Sequence, residues 1–172
     1  EILSEEQLHT AATASLVMIG HFDSLIKGIR HENPLVRRGC VTAIGRLEDS
    51  VANEILEEAI QDTDAGVRKF AHQAIGRSSH PSDIPLLKQG LLDDNLEVRY
   101  SALKQFSNFS GEIAMEAVLI AAKDESASIR RLAVEILARY PFPAVVPILA
   151  NAMQDEDSEV AAAAKRSIEH LE

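Results

Sequence analysis

The sequence predicts an all-α protein, an α-solenoid in which five helix pairs stack as a right-handed superhelix behind an N-terminal capping helix. Three observations lead there. One short pattern returns every 31 residues, each copy has the apolar spacing of a helix, and each copy follows a helix-capping residue at a fixed offset.

The pattern is a Val-Arg or Ile-Arg step at Val36-Arg37, Val67-Arg68, Val98-Arg99 and Ile129-Arg130, continued by Val160-Ala161. Four residues later stands a small residue, Cys40, Ala71, Ala102, Ala133 or Ala164. Eight residues later stands a large apolar one, Ile44, Ile75, Phe106, Leu137 or Ile168. This spacing keeps one face of a helix apolar, the second helix of each pair. Three residues before the step lie Asn33, Asp64, Asn95, Ser126 and Asp157, whose side chains suit the N-cap, and Pro34 suits the first helical position.

The first helix of each pair is marked by Leu25, Leu56, Leu87, Val118 and Leu149. Three residues further on, Gly28, Ala59, Gly90, Ala121 and Ala152 leave room for a neighbouring helix. Breakers separate the units at Ser78-Ser79-His80-Pro81, Ser110-Gly111 and Tyr140-Pro141-Phe142-Pro143. Residues 4–19 open with Ser4-Glu5-Glu6-Gln7, a capping-box pattern outside the repeat phase. The domain reading is a capping helix over 1–20 and five repeats over 21–172 in one domain, because a single helix pair cannot bury its own apolar face.

Composition narrows the function. Hydrophobic residues make up 46 % of the 172, aromatic ones only 4 %, and there is no Trp, which favours close-packed helices over a β-sandwich. The single cysteine excludes an internal disulfide and suits a reducing, cytoplasmic setting. No apolar run approaches the roughly 20 residues that span a bilayer, so membrane insertion is not expected. The chain starts at Glu1 rather than Met, as expected of a processed chain or of one domain of a larger protein.

Catalytic groups do not assemble in the pattern. The six histidines are scattered, with no helical i,i+4 pair, so neither a metal site nor a cofactor is expected. Cys40 occupies a column that is otherwise Ala and reads as core. Phe106, Phe109, Tyr140 and Phe142 read as packing between repeats. No nucleophile elbow, phosphate loop or small-molecule site is visible.

Charge is more informative. Five residues before each step lies Asp62, Asp93, Asp124 or Asp155, with His31 in the first repeat, while Ala161 replaces the Arg in the last. A ladder from each Arg to the Asp of the next repeat leaves no partner over: Arg37–Asp62, Arg68–Asp93, Arg99–Asp124 and Arg130–Asp155. These arginines are therefore expected to be structural. Eleven-residue windows opening at the five steps hold 13 of the 17 Lys and Arg but only Glu135 and Glu169 among 27 acids. They carry +11, against −21 elsewhere, within a net charge of −10. Each window also places one further cation away from its apolar face: Arg38, Lys69, Lys104, Arg131 and Arg166.

The stretch Asp62-Thr63-Asp64-Ala65-Gly66-Val67-Arg68-Lys69-Phe70-Ala71-His72-Gln73-Ala74-Ile75-Gly76 resembles the short HEAT-like repeats of the phycobilin-lyase (PBS lyase) type, and the resemblance extends over about 150 residues. It implies second helices lining a concave side, where the five cations form a basic stripe. Deoxyhypusine hydroxylase, a related helical-repeat enzyme, holds two irons with His-Glu pairs at the start of its second helices. Here the one such pair, His31-Glu32, precedes the cap, and Lys69-Phe70 and Arg131-Leu132 stand where others would be needed, so the di-iron reading fails. The expected function is a non-catalytic scaffold gripping an acidic segment of another protein. Nucleic-acid backbone binding by the same stripe is the alternative, and a bilin-lyase-like enzyme comes third.

Overall fold

The computed structural model describes residues 22–47, 50–140 and 143–169, so the expected capping helix over 1–20 lies outside the described residues. The fold is all-helical. Ten α-helices and two 3-10 turns make up the regular structure of the described residues, and no strand occurs among them.

The chain divides into two compact units, Glu1–Ser78 and Ser79–Glu172, parted at the Ser-Ser-His-Pro breaker. The first holds α1 (Phe22–Gly28), α2 (Pro34–Ile44), α3 (Ser50–Ala59) and α4 (Ala65–Ile75). The second holds α5 (Ile84–Gly90), α6 (Leu96–Gln105), α7 (Glu112–Ala121), α8 (Ala127–Leu137), α9 (Val145–Ala152) and α10 (Ser158–Glu169). Odd-numbered helices are the first and even-numbered the second of each pair. Within each unit, every second helix packs on its own first helix and on the second helix of the adjacent repeat.

Every second helix begins one residue after its expected cap. Asn33 Oδ1 accepts from the Leu35 N–H, Asp64 from Val67, Asn95 from Glu97 and Val98, and Asp157 from Glu159 and Val160. Ser126 is the exception. Its backbone has the extended cap geometry, φ −86° and ψ 123°, but its hydroxyl meets Ser128 Oγ at 2.9 Å. Ser79 and Gly111 both take left-handed φ, 52° and 93°, at breakers between repeats.

The repeat columns form the core. Val67, Val98, Ile129 and Val160 are buried, as are Ala71, Ala102, Ala133 and Ala164, and Ile44, Ile75, Phe106 and Leu137. Leu25, Leu56, Leu87, Val118 and Leu149 supply the facing layer. Val36 and Ile168, in the first and last repeats, are only half-buried. The Tyr140 hydroxyl donates to the Phe106 carbonyl at 3.2 Å, and burial pushes its pKa up to about 12. Phe106 and Phe109 are buried beside it, their ring centroids 6.0 Å apart, while Phe142 lies outside the described residues.

The small columns also interlock. A Cβ at Gly28 would overlap the Sγ of Cys40, so the cysteine fills space that the glycine leaves. Gly28→Ala should therefore destabilise the protein by about 1–3 kcal/mol through overpacking. Adding Cys40→Ala, the residue of the other four repeats, should recover most of that loss in chemical denaturation.

The charge ladder is present within both units. Arg37 pairs with Asp62 through two bonds of 2.7 Å, Arg99 with Asp124 at 2.8 and 3.1 Å, and Arg130 with Asp155 through two of 2.8 Å. The Arg68–Asp93 rung would run from one unit to the other and stays an expectation. Each arginine also reaches back with Nη1 to two carbonyls of its own repeat's turn: Arg37 to His31 and Glu32, Arg68 to Asp62 and Thr63, Arg99 to Asp93 and Asp94, Arg130 to Asp124 and Glu125. The acceptors are themselves braced. Oδ1 of Asp62, Asp93, Asp124 and Asp155 takes the backbone N–H two residues on, and in the first repeat His31 Nδ1 does the same for Asn33.

Removing one partner leaves the other desolvated and unpaired, so Arg130→Ala and Asp155→Ala should each cost about 1–3 kcal/mol, and the double variant less than their sum. The rungs also set the acid response. The hydrogen bond from Arg130 holds Asp155 below the usual carboxylate range against the opposing effect of burial. Burial pushes Asp62 up, but the bonds from Arg37 and the Asp64 N–H outweigh it and leave it lowered. A carboxylate with a depressed native pKa stabilises the fold above its unfolded pKa of about 3.9, and that stability is lost as pH falls further. The unfolding midpoint should drop below about pH 4, and Asp155→Asn should start lower at neutral pH but show a shallower acid limb.

Candidate partner-binding surface

The five cations sit on the second helices, where the repeat phase directs them off the core, but their surroundings differ. Arg38 on α2 is half-buried and makes a bidentate ion pair with Asp64, Nε to Oδ1 at 2.9 Å and Nη2 to Oδ2 at 3.0 Å. Its guanidinium lies against Gly66, where any Cβ would overlap it. Asp64 is also the N-cap of α4, and the Arg38 bond is the largest cause of its lowered pKa. Arg38 helps to build unit 1, with part of its guanidinium edge already committed.

Lys69 on α4 is half-buried. In the second unit Lys104 on α6 and Arg166 on α10 are exposed, and Arg131 on α8 is half-buried. Among the described residues, Lys104 and Arg131 make no ion pair. Arg131 stands 26 residues before Asp157, the same offset that joins Arg38 to Asp64, but Glu159 stands where Gly66 makes room. Exposed Glu135, one turn after Arg131 on α8, interrupts the positive row.

Leu96 and Tyr100 on α6 belong to the same face and escaped the sequence reading. They lie at i and i+4 with Lys104 at i+8, and are 41 % and 37 % exposed. A signal for them existed: Tyr100 occupies the position of Arg38, Lys69 and Arg131 in other repeats, and Leu96 that of Pro34, Ala65, Ala127 and Ser158.

A shallow groove in unit 1 is floored by Ile29 and Ala59, and four of its charged groups pair with each other, Arg30 with Glu58 and Arg37 with Asp62. Cys40 is buried, and burial raises its thiol pKa, the opposite of what a reactive thiolate needs. Among the described residues no group of three His, Cys, Asp or Glu side chains could hold a metal ion, and no helix is long and apolar enough to cross a membrane.

No curated protein is similar enough to match the sequence. Solved structures do match. The complex of CpcE and CpcF of phycocyanin lyase from Nostoc sp. PCC7120 is similar at 21 % identity and a TM-score of 0.65, over 87 % of this chain and 99 % of that one. A designed armadillo repeat protein in complex with the peptide (KR)4 is similar at 18 % identity and a TM-score of 0.64, over 93 % and 85 %. Computationally designed armadillo repeat proteins for modular peptide recognition are similar at 17 % identity and a TM-score of 0.63, over 97 % and 90 %. At such identities these likenesses concern the fold. The profile of HEAT repeats matches residues 22–106 and 115–171, the same residues that carry the helix pairs and their charge ladder, and the chain belongs to the HEAT-repeat family.

Proposed function

We propose that this chain is a non-catalytic binding module that holds an acidic segment of another protein against the exposed face of its second helices. The observation that carries the reading is that Lys104 and Arg131, on adjacent second helices of one unit, make no ion pair among the described residues of a chain whose net charge is −10. In a protein with that many acids, cations left facing solvent raise the local potential and favour an anionic partner. Arg166 extends the row on α10, and Arg38 and Lys69 are the corresponding positions of the first unit. The folds it is similar to support a binding role, since designed armadillo repeat proteins hold peptides, in one case the basic (KR)4. Here the offered charge is positive, so the complementary segment is acidic.

The test uses fluorescence anisotropy with a labelled deca-glutamate peptide and, in parallel, a mixed-sequence single-stranded oligonucleotide. In a triple variant, Lys104→Glu and Arg166→Glu at exposed positions should change stability by about 0.5 kcal/mol or less each, and Arg131→Glu at a half-buried one by about 1 kcal/mol. The same triple variant should weaken peptide binding by at least about tenfold, and wild-type binding should weaken as salt rises. Tighter binding of the oligonucleotide with a steep salt slope would replace this reading with nucleic-acid backbone recognition. Unchanged peptide binding by the triple variant would remove the basic row as the site.

A further inference from the structure

We infer that the acidic segment carries a large apolar side chain beside its carboxylates, and that Leu96 and Tyr100 on α6 form the seat for it. The inference rests on the acidic-partner reading and specifies its sequence. Single exposed apolar side chains need no explanation, but this pair differs in its setting. Leu96, Tyr100 and Lys104 run along one face of α6, and Arg131 stands on α8, which packs against α6, at the repeat position equivalent to Tyr100. Neither residue is needed by the core, which in this repeat is built from Val98, Ala102 and Phe106. Tyrosine is also among the residue types that anchor interfaces, because it offers a large rigid surface with a polar tip.

The other exposed large apolar side chains, Leu92 just after α5, Ile113 and Ile120 on α7, Val146 on α9 and Met153 just after it, are on or directly after first helices. Among the described second helices, α6 alone carries exposed large apolar side chains, and there they share a line with Lys104, which makes no ion pair among the described residues. Charge complementarity therefore selects the occupant, an extended acidic segment rather than an uncharged helix or a second copy of this acidic chain. Nearby acids limit where its carboxylates can lie. Glu97 is beside Leu96, and Glu135 is one turn beyond Arg131. The carboxylates are accordingly directed to Lys104 and Arg131, and the apolar side chain to the Leu96 end.

Helix geometry turns this into a spacing. Tyr100 to Lys104 is about 6 Å along the axis and Leu96 to Lys104 about 12 Å. An extended chain advances about 3.3 Å per residue, so the apolar residue stands two to four positions from the carboxylates that meet Lys104.

The probes are labelled deca-glutamate and the same peptide with one central Leu, titrated against the whole chain by anisotropy. The Leu peptide should bind about five- to tenfold more tightly, from partial burial of one apolar side chain. Tyr100→Ala should abolish that difference and leave deca-glutamate affinity unchanged, while Tyr100→Phe should preserve it. Circular dichroism of each variant confirms that the helices are retained. Equal binding of the two peptides by the wild type, or a Tyr100→Ala variant that still prefers the Leu peptide, overturns the inference while the basic row stands. If neither peptide binds, the acidic-partner reading falls, and the seat falls with it.

Discussion

The structure depends on one compound interaction, the arginine that follows the first buried aliphatic residue of a second helix. A helix pair of this size has one apolar face, whose packing leaves its rotation relative to the next pair free by tens of degrees. The arginine supplies the direction. One edge of its guanidinium binds two carbonyls in the turn of its own repeat, and the other binds both oxygens of an aspartate in the turn of the next. Planar, fixed donors make that arrangement angular as well as close. The aspartate cannot drift either, because its Oδ1 is also held by a backbone N–H two residues on. Turn is thus tied to turn, and the helices between them inherit their register.

This dependence explains why some parts were legible in the sequence. Asn33, Asp64, Asn95 and Asp157 are both the correct residue type and the correct position, so the second helices could be placed to the residue. Ser126 shows that position and bond are separable: its backbone is held in the cap geometry by the Asp124 carboxylate accepting its N–H, whatever its hydroxyl does. His31 was read as a gap in the acidic column. It fills the turn-bracing role of that column through Nδ1, lacking only the charge, and no charge is called for because no arginine precedes it in the ladder. Helix periodicity could not reveal that, since the role belongs to a turn.

The candidate surface was less legible, for a physical reason. A helical wheel says which way a side chain leaves its own helix and nothing about what stands opposite on the next. Arg38 was placed off the core correctly, but an acidic cap 26 residues later and a glycine that opens space beside it drew its guanidinium into the framework. The same offset at Arg131 meets Glu159 in the glycine's place. Apolar residues on a helix are ordinarily assigned to its buried side, which is how Leu96 and Tyr100 were passed over. The position of Tyr100, a cation in three other repeats, signalled its exposure, and the assembled repeats show it for both residues.

The rungs of the second unit have an evolutionary consequence. Each joins residues 25 apart in sequence, and each bridges one turn to the next in the same way. A duplication of a 31-residue block that carries Arg99 or Arg130 would therefore re-form every rung, since the arginine of the old copy meets the aspartate of the new one. An insertion of any other length would leave a guanidinium and a carboxylate facing groups they cannot satisfy. Such a chain can lengthen by whole steps and resists lengthening by fractions. The exposed face on the second helices would grow by one helix at each step, so the reach of the protein along an extended partner is a quantity that gene duplication can set.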